Sequence, residues 1–221
     1  MAVVRHVAGL CSLLALGVAV ILMPSSSGTT DAGARPHTAP VRLVLSSQGA
    51  SHARALSTSS LYAKGDPWKG YLAAEAVCPG GERTDLSLQR QEQALTCLVN
   101  WARKQRGLAP LERVTLLNAT SSMKARDIVR CETFAHNPCG GDWAVHVRAA
   151  GYSGAVGENL YLASGPWSAP RVAVDGWLNS PRHRANLFDP QWRRQGLAAV
   201  EIAAFLGHRS ITIWVNEFGA R

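Results

Sequence analysis

Ser210-Ile-Thr-Ile-Trp-Val-Asn-Glu-Phe218 places β-branched Ile211, Ile213 and Val215 at every second position, with Thr212, Trp214 and Asn216 between them. A two-residue period sends successive side chains to opposite faces of a strand. Just upstream, residues 196–204 are also rich in β-branched and apolar side chains, and Leu206-Gly-His208 between the two runs fits a turn. Two such runs joined by a turn predict an antiparallel pair at the C-terminal end of the chain. A third, short strand is predicted over residues 158–162.

The preceding half reads as helix. Over residues 85–106, Leu88, Ala94, Leu95, Leu98 and Ala102 supply an apolar face, with Thr84 as N-cap, Gly107 suited to a left-handed C-terminal cap and Pro110 preventing resumption. A second helix is predicted over 111–131, burying Leu116, Ala119, Met123, Ala125 and Ile128. A shorter one over 142–150 ends at Gly151. A fourth starts at Pro170 and runs to Ser180, where Pro181 ends or kinks it. Helices followed by an antiparallel sheet define an α+β domain with packed layers.

Residues 1–34 are not read as fold. Arg5 and His6 precede an apolar run from Val7 to Met23, followed by Pro24-Ser-Ser-Ser-Gly28 and Ala32-Gly-Ala34, the pattern of a secretory signal. The rival reading is an uncleaved anchor, since the run approaches the roughly 20 residues that span a bilayer. Residues 35–65, with their Ser, Thr, Ala and Gly, read as a flexible linker, and the domain is expected over 66–221. An exported chain of this length builds an ordinary hydrophobic core.

The formal net charge is +8, and removal of residues 1–34 takes away one Arg and one Asp and leaves it there. The basic residues are scattered among acids. Only Arg182, Arg184, Arg193 and Arg194 are locally dense, with no aromatic interleaving of the kind nucleic-acid paths show. Nucleic acid is therefore not an expected partner. Four cysteines follow the signal: Cys78, Cys97, Cys131 and Cys139. An even count in an exported chain predicts two disulfides in one of three pairings, and proximity favours Cys78–Cys97 with Cys131–Cys139. No C-x₂-C pair points to a zinc cluster.

Three clusters carry the candidate chemistry: Phe134-Ala-His136, Gly157-Glu-Asn159 and Ser180-Pro-Arg-His183-Arg-Ala-Asn186. His and Glu are the side chains most used for metal ligation and proton transfer near neutral pH. Each also has a plain structural reading. His183 could hold its corner by bonding nearby carbonyls, and Glu158 could pair with Arg148 or Arg184. His37, His52, His146 and His208 match no motif and read as surface residues.

Taken in order with Leu98-Val-Asn-Trp-Ala-Arg103, Gly107-Leu-Ala-Pro-Leu111, Gly151-Tyr152, Trp177-Leu-Asn179 and Trp214-Val-Asn-Glu-Phe-Gly219, these clusters resemble a bacterial CAP (SCP) domain over about residues 85–221. That superfamily holds cysteine-rich secretory proteins, antigen 5 and plant pathogenesis-related proteins. The resemblance implies an α–β–α sandwich with a central antiparallel sheet and a surface cleft. In many members two His and two Glu line the cleft, and some bind a divalent metal. The matching residues are His136, Glu158 and His183, while Ser180 stands where the second Glu would fall. Two imidazoles and one carboxylate could still hold zinc and leave a position for water.

The expectations that follow are three. The first is a secreted or envelope-associated protein that binds an extracellular lipid, glycan or protein as a monomer, touching membrane only through an uncleaved N-terminal segment, with Trp177 and Trp214 beside the cleft. The second is a metal-dependent hydrolase of extracellular peptide or cell wall, with zinc on His136, Glu158 and His183. In the third, the cluster merely ties loops to the sheet. A Ser180–His183–Glu158 nucleophilic arrangement is a lesser variant, without a G-x-S-x-G elbow to support it.

Overall fold

A computed structural model describes residues 42–46 and 66–220. The signal and most of the linker lie outside the described residues, as do His37 and His52. In chain order the elements are β1 (Arg42–Ser46), α1 (Leu88–Gln105), β2 (Glu112–Arg113), α2 (Thr115–Arg130), α3 (Val145–Ala149), β3 (Val156–Ser164), α4 (Pro170–Asn179), α5 (Pro181–Leu187), β4 (Arg194–Phe205) and β5 (His208–Gly219). Short 3₁₀ turns fall at Lys69–Tyr71 and Gly165–Ser168. Among the described residues no helix is long and apolar enough to cross a membrane.

The sheet has five strands in the order β1-β3-β5-β4-β2. The predicted hairpin is its centre: β4 and β5 pair antiparallel from Arg194 opposite Gly219 to Phe205 opposite His208. β3 pairs antiparallel with β5, and β1 with β3, while the two-residue β2 adds a parallel edge on β4. β1 is a correction to the linker reading, because these five residues form an edge strand. A run that short, set among Ser and Gly, leaves no periodicity to detect, and the open edge of β3 supplies its pairing.

Alternation along the strands divides the interior in two. Leu160, Leu162, Ile211, Ile213 and Val215 pack with Ala125 and Ile128 of α2. Tyr161, Ala163, Trp214 and Phe218 pack with α1 and α4 on the opposite face. The result is an α–β–α sandwich. Gly196 fixes one seam, because a Cβ there would lie 2.0 Å from the carbonyl carbon of Leu117. The backbone of β4 thus presses directly on that of α2. Arg103, fully buried, fastens α1 to the end of α5 by donating to the carbonyls of Leu187 and Asp189, and it also holds the turn after α1 through the carbonyl of Ala109.

Several boundaries move for local reasons. α1 starts at Leu88 and not Asp85, because the buried Gln91 side chain donates to the carbonyls of Thr84 and Leu86 and holds that segment as a turn. α2 starts at Thr115, since Glu112 and Val114 donate instead to the carbonyls of Arg193 and Gln195. Pro181 does end α4, but it also occupies the first turn of a new helix, α5. Both disulfides follow the proximity pairing, Cys78–Cys97 and Cys131–Cys139.

Candidate functional site

The site lies where β3 runs past the end of β1. Ser46 pairs with Asn159, so Glu158 and Gly157 extend beyond the edge strand. Two motifs meet there and lock together. Asn186 Nδ2 donates to the carbonyl of Glu158 at 3.1 Å and to Asn159 Oδ1 at 3.0 Å, while Asn159 Nδ2 donates to the carbonyl of His183 at 3.1 Å. Gly157 leaves room for this, since a Cβ would stand 2.5 Å from Asn186 Oδ1. The glycine and both asparagines therefore dock α5 on β3, and the docking sets the position of His183.

Glu158 is fully buried and points into the α2 layer. Its Oε1 lies 2.5 Å from His136 Nδ1, and its Oε2 faces the Lys124 ammonium at 3.3 Å, an ion pair without a hydrogen bond. Lys124 is itself only 2% exposed and donates to the carbonyls of His136 and Trp143. Glu217, directly opposite Glu158 across the β3–β5 pair, accepts from the hydroxyls of Thr120 and Ser121. Burial, and then the charge of Glu158, push the Glu217 carboxyl up to about 8, so it keeps its proton at neutral pH.

His183 enters from the other layer. Its Nδ1 lies 2.7 Å from Ser180 Oγ, and the ring is 2% exposed. Burial, and then the nearby His136, bring its pKa down to about 3, so the imidazole is neutral over the physiological range. The Nε2 atoms of His136 and His183 are both buried without a hydrogen-bond partner.

The structure thus brings His136 to Glu158 and His183 to Ser180. It does not assemble Ser180–His183–Glu158, because Glu158 orients the other imidazole, and a base with a pKa near 3 is too weak to activate a serine at neutral pH. Glu158 pairs with neither Arg148 nor Arg184: Arg148 binds Asp142, and the Arg184 guanidinium stacks on Trp68. Trp177 and Trp214 are wholly buried, donating to the carbonyls of Leu160 and Ser168, and so belong to the core. His146 is not a free surface residue, since its Nε2 lies 2.7 Å from Asp127 Oδ2.

A zinc ion held by His136, Glu158 and His183 together does not fit the residues as arranged. Glu158 holds the Nδ1 side of the His136 ring, so a metal on Nε2, across the ring, would have that carboxylate as an outer partner and not as a ligand. The second oxygen of Glu158 already faces a buried ammonium. Among the described residues no group of three His, Cys, Asp or Glu side chains is placed to hold a metal.

Lys124, Thr120, Ser121 and Glu217 escaped the sequence reading. The buried face of α2 is Leu117, Thr120, Ser121, Lys124, Ala125 and Ile128, whereas Met123 is 39% exposed. Polar side chains at helical spacing on a buried face were the available signal.

Three layers with a His–Glu site at the open end of the sheet define the CAP type of sandwich. The sequence agrees: the profile of CAP, the cysteine-rich secretory protein family, matches residues 97–218, and the chain belongs to that family. It is 29% identical over 134 residues to the uncharacterized protein YkwD of Bacillus subtilis, an alignment covering 60% of this chain and 48% of that one. It thus spans about half the length of that curated relative. An outer surface protein of Borrelia burgdorferi has a similar fold, with a TM-score of 0.51 and 22% identity over 62% of this chain and 96% of its own. An extracellular SCP-domain protein of Bacillus anthracis is also similar, at a TM-score of 0.48 and 21% identity over 62% and 44%.

Proposed function

We propose that this chain is an exported CAP-domain protein that works by binding, and that its ligand presents a hydroxyl group to His136 and His183. The observation that carries this reading is the pair of buried imidazole Nε2 atoms without partners. With Nδ1–H of His136 donated to Glu158, its Nε2 is an acceptor. In the tautomer this proposal takes, Ser180 donates to Nδ1 of His183, and the Nε2–H of that ring is a donor. A hydroxyl gives and takes one hydrogen bond, and so satisfies both. Glycans and hydroxylated lipids are the extracellular ligands with that chemistry. Export is supported by the secretory pattern of residues 1–34 and by the outer-surface description of the Borrelia protein of similar fold.

The metal-hydrolase alternative requires His136, Glu158 and His183 to converge on one ion, and the orientation of Glu158 counts against it. The test is a thermal-shift titration of the full chain against envelope glycan fragments and lipid vesicles, repeated with His136→Ala and His183→Ala. A ligand that raises the melting temperature of the wild type and of neither variant supports the reading. No shift with any of them sinks it.

A further inference from the structure

Lys124 is the least expected member of the site. A buried ammonium is costly to desolvate, and a hydrophobe of similar length would fill the same space. Its surroundings account for it. An ammonium has three donors, and three acceptors face this one: the carbonyls of His136 and Trp143 and the carboxylate of Glu158. The two carbonyls bracket the loop from residue 136 to residue 143, and the Cys131–Cys139 bridge ties the middle of that loop back to the end of α2. His136 sits at the first bracket, its Nδ1 on the other oxygen of the same carboxylate.

We infer that Lys124 is the resident cation of this site: its ammonium, in place of a divalent metal, neutralises Glu158 and clamps the loop that positions His136. Lys124 is a positioning residue in this scheme, acting on a ligand only through the imidazole. The four groups come from three separate places in the chain, α2, the 131–144 loop and β3, and only the lysine touches all of them. A metal that took over Glu158 would have to face a buried positive charge a few ångströms away. The inference shares its site with the hydroxyl-ligand reading but does not depend on it.

The experiment uses the full chain stripped with a chelator and then titrated with Zn²⁺, read by nitrogen-15 NMR of the histidine rings and by amide hydrogen exchange. The wild type is expected to take up no stoichiometric zinc at the His136 and His183 rings, and their signals stay unmoved. Uptake of one equivalent that shifts both rings overturns the inference. Lys124→Met is expected to shift the His136 ring signals and to speed exchange across residues 136–143, with Lys124→Arg restoring part of both. A folded Lys124→Met with unchanged His136 signals and unchanged loop exchange also overturns it. Should Lys124→Met not fold, the wild-type titration still decides. Failure of every glycan and lipid to bind would leave these readouts as they are, so the two ideas fail separately.

Discussion

Asn186 Nδ2 stands 3.0 Å from Asn159 Oδ1, and this side-chain contact between α5 and β3 is the joint on which the site turns. The same amide also caps the carbonyl of Glu158, so one residue links the strand carrying the carboxylate to the helix carrying His183. Asn186→Ala would leave Asn159 Oδ1 and the Glu158 carbonyl without that donor. Orphaned polar groups of this kind cost on the order of 1–3 kcal/mol each, so a loss of about 2–3 kcal/mol in urea unfolding is expected. A change under about 0.5 kcal/mol would mean that the joint carries no weight.

The loop bearing His136 is held twice, by Lys124 at its ends and by Cys131–Cys139 across eight residues of sequence. Chain entropy for a loop that short gives about 2.5 kcal/mol, which the Cys131→Ala/Cys139→Ala variant should lose. Because Lys124 remains, the loop should loosen in its middle only. Hydrogen exchange is expected to rise over residues 137–141 and to stay slow at His136 and Trp143. Equal acceleration along the whole loop would contradict that division of labour.

These joints also show what could be read from the sequence and what could not. β5 was legible from its alternating residues, buried on both faces from Ile211 to Gly219, and β4 from a run of apolar and β-branched residues whose first half is buried. α1 was legible from an apolar stripe of which Ala94, Leu95, Leu98 and Ala102 are buried and Leu88 is half-buried. The face of α2 was legible only in part: Ala125 and Ile128 are buried as expected, but Ala119 and Met123 are exposed, and the inner side carries Thr120, Ser121 and Lys124, the residues that serve Glu217 and Glu158. Polarity there comes from the site, and it masks the core pattern that a helix otherwise displays. The three clusters marked where the site is. They could not say that Glu158 would choose His136 over His183, because that depends on which layer each ring enters from.

Ser180 tests the remaining catalytic reading. Its hydroxyl is the partner of His183 Nδ1, inside a ring environment that keeps the imidazole neutral and weakly basic. Ser180→Ala should therefore cost stability, about 1–2 kcal/mol for the orphaned nitrogen, and change no covalent chemistry. The wild type should not be labelled by a serine-directed fluorophosphonate. Labelling located at Ser180 by peptide mapping would restore the nucleophile.

His183 and Glu217 give the fold opposite responses to pH. The His183 pKa falls from 6.5 to about 3 on folding, so between those values the unfolded chain holds a proton that the fold refuses, and stability rises with pH. The Glu217 pKa rises from 4.5 to about 8, so the fold keeps a proton that the unfolded chain releases, and stability falls as pH rises across that window. Each slope is at most about 1.4 kcal/mol per pH unit. Where the windows overlap, from 4.5 to 6.5, the two contributions oppose each other. Above that range only the Glu217 contribution is left. Glu217→Gln, which keeps the shape without the charge, should match the wild type most closely in acid and gain on it steadily up to about pH 8. His183→Gln should do the reverse, closing its stability gap to the wild type as the pH drops below about 6.5, because the proton penalty is gone. Urea unfolding at half-unit pH steps on the three proteins measures both differences. Parallel curves for wild type and Glu217→Gln between about pH 5 and 8 would show that Glu217 is ionised in the fold, and that Thr120 and Ser121 donate to a charge.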